Sequence, residues 1–248
     1  MKPSLERLIQ SLSEGLIERD VPSRLILLSA LAGEHTLLVG PPGTAKSVLA
    51  RKLHNVFSDG DYFERLLTRF SVPEELFGPL SIKALEDDQY HRLTEHYLPS
   101  ASIAFIDEIF KANSAILNSL LTILNEGEFD NGTTRIKVPL ISVVAASNEL
   151  PDETELEALY DRFLVRYQVQ PVSNQQFENL LTLSTDSSTR VLNEADKLTP
   201  PIIADIQKNA EQVSLSDEVI QLLGAMRDYL NQQNRYVSDR RWRKVVKL

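Results

Sequence analysis

Residues 36–50, Thr-Leu-Leu-Val-Gly-Pro-Pro-Gly-Thr-Ala-Lys-Ser-Val-Leu-Ala, limit the possible folds of this chain more than any other stretch. Four strand-prone residues lead into a loop of small and rigid residues, Gly40 to Ala45. Lys46, Ser47 and Val48 then open an apolar helical run. Strand, tight loop and helix in this order form a phosphate cradle, because backbone N–H groups of the loop and of the helix start converge on an anion. The candidate nucleotide-binding residues are therefore Gly40, Pro41, Pro42, Gly43, Thr44, Ala45, Lys46, Ser47 and Val48. Lys46 would set a point charge on the β- and γ-phosphates, and the Ser47 hydroxyl would ligate Mg²⁺. The general pattern asks for a second glycine where Ala45 stands. Alanine is the mildest departure, and it predicts negative φ at that position. Taken alone, the stretch also reads as an ordinary glycine-rich turn before a helix, so the rest of the chain has to decide.

A length of 248 residues allows one large domain or two unequal ones with ample core. A net charge of −9 argues against tight, sequence-independent binding to nucleic acid. The longest apolar runs, around 25–32 and 140–146, are core-sized rather than membrane spans. The start, Met-Lys-Pro-Ser-Leu-Glu-Arg, lacks a signal or transit pattern. The chain has no cysteine, so disulfides and thiolate metal sites are excluded and a cytoplasmic home is the simplest expectation. His35, His54, His91 and His96 have no metal-ligand spacing and read as surface or structural groups.

Apolar spacing over 4–20 predicts an amphipathic helix carrying Leu5, Leu8, Ile9, Leu12, Leu16 and Ile17. A second helix is expected from Pro22 to Gly33. After the loop and its helix, 62–70 reads as a strand. Residues 71–100 read as an insertion outside the main sheet, with a short helix at 73–77 and, over 81–94, either a hairpin or a helix followed by a strand. Further strands are expected at 102–107, 140–147 and 164–169, with helices at 114–125 and around 155–160. Asn131-Gly132 between 128–130 and 134–138 is a hairpin signal. Beyond Pro171 only helices are expected, at 174–183, 201–213, 217–231 and 239–248, with a polar tract over 184–197. The last helix meets no stop signal before Leu248, the pattern of a chain cut within an element. The expected division is an α/β nucleotide-binding domain, 1–171, and a smaller all-helical lid, 172–248.

A bound nucleoside triphosphate also needs groups that hold the metal, orient water and stabilise γ-phosphate charge. Asp107 and Glu108 end the apolar strand Ile103-Ala104-Phe105-Ile106. In a parallel sheet that end faces the ligand crevice. Asp107 can therefore serve the Mg²⁺ shell and Glu108 can polarise water. Two surface carboxylates in a loop would be the plain alternative. Asn148 ends a second apolar strand, where its amide can bond water or phosphate without adding charge; a strand-ending turn asparagine is its plain alternative.

Taken in order, Gly40 to Ser47, Phe105-Ile106-Asp107-Glu108, Ala146-Ser147-Asn148, Leu159-Tyr160-Asp161-Arg162-Phe163 and Ser238-Asp239-Arg240 resemble the AAA+ ATPases of the MoxR type. Residues 67–71, 75–81 and 236–242 are most similar to the regulatory ATPase variant A (RavA) subgroup, where Ala45 is the usual residue. The resemblance covers essentially the whole chain. It implies an AAA+ P-loop fold, a five-stranded parallel sheet in the order 5-1-4-3-2 flanked by helices, plus the lid. Asn148 would then lie between the Lys46 and Asp107 strands, and the insertion and hairpin would face a central pore or a client.

The resemblance further implies Mg²⁺-dependent ATP hydrolysis by a ring, a homo-hexamer, that remodels a protein client. A von Willebrand A-domain protein is the implied co-chaperone. The implied catalytic set is Lys46, Glu108, Asn148, Arg162 and Arg240, with Ser47 and Asp107 at the metal. Arg162 would act as an arginine finger in trans, with Arg166 as a second candidate; a salt bridge to Asp161, Glu157 or Asp152 is the plain alternative. Arg240 matches the family's sensor position in the lid. Neighbouring helical residues point about 100° apart, so Arg241 would face elsewhere, and a solvated basic face is the alternative for both. Two other functions are compatible with the motifs: a nucleotide-gated scaffold without turnover, and a DNA-remodelling ATPase, which the acidic balance disfavours.

Overall fold

The computed structural model describes residues 5–151, 154–183 and 192–248. Its contacts divide into two compact units, Met1–Thr199 and Pro200–Leu248. The first unit contains α1 (Leu5–Ser13), α2 (Asp20–Leu31), β1 (Thr36–Val39), α3 (Lys46–His54), β2 (Asp61–Leu66), α4 (Pro73–Phe77), α5 (Ile82–Glu86) and β3 (Ala101–Asp107). It continues with α6 (Ser114–Glu126), β4 (Glu128–Asn131), β5 (Thr134–Lys137), β6 (Ser142–Ser147), α7 (Thr154–Tyr160), β7 (Val165–Gln168) and α8 (Phe177–Thr182). The second unit contains α9 (Pro200–Glu211), α10 (Asp217–Gln232) and α11 (Asp239–Val245).

Five parallel strands form the main sheet in the order β2-β3-β6-β1-β7. Counted along the chain, this is the expected 5-1-4-3-2. The two inner strands explain why the sheet forms. Residues Ala101–Ile106 of β3 and all of β6 are buried, as parallel strands covered on both faces must be. Each fully buried Ile, Val or Phe there contributes about 1.5–3 kcal/mol. The registers Ile106↔Ala145 and Val39↔Ser147 bring three strand ends to one rim. Gly40, Asp107 and Asn148 leave the sheet at that rim.

The insertion consists of α4, α5 and a short antiparallel bridge, Leu80↔Arg92, and none of its described residues joins the five-stranded sheet. Strands β4 and β5 form a separate hairpin. Asn131 pairs with Thr134, so the turn residues are Gly132 and Thr133, one place later than the Asn-Gly pair predicts. Gly132 has φ 66°, and a Cβ there would lie 1.7 Å from Tyr90 O in the insertion. The Asn131 side chain is free for another task. Its amide accepts from Arg92 N–H at 2.7 Å and donates to Arg92 O at 3.1 Å. Phe77 of α4 stacks on Phe129 of β4 with ring centroids 5.3 Å apart.

Three expectations need correction. The helix predicted over 4–20 ends at Ser13, because Gly15 and Glu18 take φ 70° and 56° and turn the chain before α2 begins at Asp20. Strand β2 stops at Leu66, because Ser71 accepts from Thr68 N–H at 3.0 Å and closes a turn. Helix α11 stops at Val245, short of the predicted end at Leu248. The compact units meet at Thr199 and Pro200. Leu198 is buried and lies beside β2's approach, donating to Val56 O at 2.8 Å and accepting from Ser58 N–H at 3.1 Å. The polar tract lies partly outside the described residues, over 184–191.

Candidate active site

The loop after β1 starts hard against β7. A Cβ on Gly40 would lie 2.2 Å from Val169 O, so only glycine lets the two backbones approach this closely. Ala45, predicted at negative φ, instead takes φ 65° and ψ 24° at the N-cap of α3. The loop needs a left-handed step to bring the first helical N–H groups round, and alanine takes it at a cost of about 1–2 kcal/mol. Helix α3 has neither a side-chain cap nor an acidic residue in its first turn. By contrast, α6 is capped by Asn113, and α10 by Ser216 with Asp217 and Glu218 following. The start of α3 therefore keeps its partial positive charge and its N–H donors for an anion.

Lys46 is buried, at 6% exposure. Its Nζ donates to Gly40 O at 2.6 Å, to Pro41 O at 2.9 Å and to Asn148 Oδ1 at 3.4 Å. Burial holds the Lys46 ammonium below the ordinary lysine pKa, while the charges of Asp107 and Glu108 pull it back up. Asn148 Nδ2 donates to Glu108 Oε1 at 2.5 Å. One amide thus spans from the ammonium to a carboxylate, its oxygen facing the donor and its nitrogen facing the acceptor. Glu108 takes φ 53° directly after β3, and its N–H donates to Asp107 Oδ1 at 3.0 Å. Lys46, Asp107, Glu108 and Asn148 therefore meet at one rim, contributed by β1's loop, β3 and β6.

Ser47 lies half-buried in the first turn of α3, and Asp107 lies half-buried at the end of β3. A hydroxyl and a carboxylate are the hard oxygen donors that Mg²⁺ takes, usually beside substrate phosphates and water. The donor set fits that ion. Among the described residues no group of three or more His, Cys, Asp or Glu side chains could hold a metal by itself. His35 is a core group: Nδ1 accepts from Val143 N–H at 3.1 Å, which leaves Nε2–H for Leu124 O at 3.2 Å.

A family model described as the MoxR domain of MoxR-vWA-beta-propeller ternary systems matches residues 3–208. An AAA lid domain model matches residues 218–248. The chain belongs to the MoxR family of AAA+ ATPases. An uncharacterised protein of Methanocaldococcus jannaschii is 45% identical over 98% of the chain and 63% of that relative. The MoxR1 chaperone of Mycobacterium tuberculosis is 25% identical over 90% of the chain and 60% of its own length. This MoxR-family chain thus spans less than two thirds of the curated relatives it matches. The crystal structure of a candidate ATPase from Cytophaga hutchinsonii shares the fold, with a TM-score of 0.70, 17% identity, and coverage of 88% of this chain and 66% of that one.

In this MoxR-family chain the two arginines beyond α7 differ sharply. Arg166 is engaged within its own chain: Nε donates to Phe163 O at 3.1 Å, an amino group donates to Tyr160 O at 2.9 Å, and the guanidinium lies 3.5 Å from the Tyr160 ring centroid. Arg162 has no ion-pair partner among the described residues, and its buried Nε lacks a hydrogen bond; Asp152 lies outside the described residues. Arg240 and Arg241 open α11 in the second unit, where Ser238 Oγ accepts from Arg241 N–H at 3.2 Å.

The loop has one support that motif reading misses. Arg19 donates through Nε to Thr44 O at 3.1 Å and through an amino group to Gln170 O at 2.9 Å. Its partners are far along the chain, so no local pattern marks it.

Proposed function

We propose that this chain is the Mg²⁺-dependent ATPase module of a ring-forming MoxR-type remodeller, of the RavA kind. The Lys46–Asn148–Glu108 hydrogen-bonded chain at one rim of the sheet carries the reading. Lys46 sits where it can neutralise charge on the β- and γ-phosphates, exchanging its loop carbonyls for phosphate oxygens. The N–H groups at the start of α3 bind the same phosphates. Ser47 and Asp107 would hold Mg²⁺, which when bound offsets phosphate charge during transfer to water. Glu108 accepts the proton of the attacking water. Asn148 holds that carboxylate at a fixed distance from Lys46 and keeps the two charges from collapsing into a direct ion pair.

The same reading gives Arg162 the role of finger, reaching the neighbouring subunit's nucleotide in a hexamer. That Arg162 has no ion-pair partner among the described residues supports Arg162 over Arg166. Arg240 would sense the nucleotide from the lid, for which we keep the functional boundary at 171/172. A von Willebrand A-domain protein is the proposed co-chaperone, supported by the systems named in the matching family model. The cytoplasm is the proposed location. No helix among the described residues is long and apolar enough to cross a membrane.

Phosphate release and nucleotide binding by the purified chain test the reading. Lys46→Ala should abolish nucleotide binding. Glu108→Gln should bind ATP with near-wild-type affinity and lower turnover by about 10²-fold or more. Tight binding with no turnover by the wild type would favour the scaffold reading. Turnover stimulated by DNA would favour the DNA-remodelling one.

A further inference from the structure

Arg19 is only 5% exposed, yet among the described residues its guanidinium has no carboxylate within ion-pair distance. It donates to backbone carbonyls alone: Thr44 O at 3.1 Å, Gln170 O at 2.9 Å and Glu18 O at 2.8 Å. Burial holds its pKa below the ordinary guanidinium value, and the nearby charge of Glu18 pulls it only part of the way back. A desolvated cation that makes no direct ion pair is a poor device for stability. Its first target is the last peptide unit before the strained residue of the loop. Thr44 O belongs to the same planar trans peptide as Ala45 N–H, and in such a unit C=O and N–H point in opposite directions. Fixing the Thr44 carbonyl therefore fixes where the Ala45 N–H points.

A second tie holds the carbonyl's own residue, since Thr44 Oγ1 donates to Pro41 O at 2.9 Å. The left-handed conformation at Ala45 persists only if its surroundings over-determine it, and Arg19 is one of the groups that does so. The other arm of Arg19 reaches Gln170, just past β7. Beside it, the Glu18 carboxylate accepts from Ser173 N–H at 2.7 Å and from Ser173 Oγ at 2.5 Å. The Glu18-Arg19 dipeptide thus joins the phosphate loop to the segment that leaves the sheet.

We propose that Arg19 is a positioning residue for nucleotide binding: by gripping the Thr44 carbonyl it aims the Ala45 N–H at a bound phosphate and ties the loop to Gln170. This rests on the reading that residues 40–47 bind nucleotide phosphates. The role acts through the loop, so Arg19 need not touch the nucleotide.

The test titrates MgADP into the wild type, Arg19→Ala, Arg19→Lys and Lys46→Ala, with circular dichroism to establish folding at the titration temperature. KM and kcat for MgATP are measured in parallel. Arg19→Ala should raise Kd and KM about tenfold or more, with kcat changed by less than about threefold, the scale of a lost charge-assisted hydrogen bond. Arg19→Lys keeps one donor and should recover part of that loss. A purely structural Arg19 would lower the unfolding temperature and leave the Kd of the folded variant untouched. Should Arg19→Ala not fold, Arg19→Gln serves with the same reading. A wild type that takes up no MgADP sinks the loop assignment and the Arg19 role together. A wild type that binds, a Lys46→Ala variant that does not, and a folded Arg19 variant within about twofold of wild type would overturn the role of Arg19 alone.

Discussion

At Ala45 a single methyl group sits in a backbone conformation that glycine would take freely. Ala45→Gly relieves that strain but frees the unfolded chain by about 0.5–1 kcal/mol. Its unfolding free energy should therefore change by less than about 1 kcal/mol, with nucleotide affinity kept. Ala45→Val puts a branched side chain at positive φ and should lose about 1–3 kcal/mol in urea unfolding. Equal stability of the valine and glycine variants would contradict the left-handed assignment. Lys46 makes a pH prediction. Its pKa lies below the ordinary lysine value, chiefly through burial, and a bound phosphate adds negative charge that raises it again. Binding is then strongest while the ammonium is intact, and it weakens as pH rises through the lowered pKa. Kd for MgADP measured against pH should climb on the alkaline side, before an ordinary lysine would titrate; a flat profile over that range counts against the phosphate role.

Between elements, the insertion and the hairpin are held together by Arg92 and Asn131, both buried. The Arg92 guanidinium donates to Glu74 Oε1 at 2.9 Å, Gly78 O at 2.8 Å and Tyr90 Oη at 3.0 Å. Asn131 supplies the reciprocal bonds to the Arg92 backbone. Asn131→Ala leaves a buried N–H and C=O unpaired and should cost about 1–3 kcal/mol. Amide exchange should quicken over 79–93 and 128–137 while the five-stranded sheet stays protected. Uniform quickening across the chain would show that the tie is not local. Strands β1, β3 and β6 and helix α6 were legible because their apolar runs have the right period and clear end signals. Helix α1 was legible only in part. The apolar spacing continues past Ser13, but the conformations of Gly15 and Glu18 end the helix, and periodicity carries no information about φ.

For the whole molecule, the arginine that finishes the site belongs to a neighbour if the proposed ring is correct. Turnover per chain should then rise with protein concentration, and Arg162→Ala should lower it by about 10³-fold without loss of MgATP binding. Arg166→Ala should act differently. It removes bonds to Phe163 O and Tyr160 O and should lower the unfolding temperature first. Turnover that is flat on dilution, together with a silent Arg162→Ala, would exclude the trans arrangement.

The sequence by itself determined the chemistry on offer: a cradle loop with its lysine and serine, acids and an amide at the ends of apolar strands, and a chain whose later part is helical. These are local facts, set by residue type, spacing and period. Only the tertiary structure decided which of those groups touch. Asn148 bridges Lys46 and Glu108 because β6 lies between β1 and β3, a neighbourhood that sheet topology sets and that local spacing does not carry. The sign of φ at Ala45 and the hold of Arg19 on Thr44 are of the same kind. Both arise from contacts between segments far apart in the chain, where the surroundings outweigh the preference of the single residue.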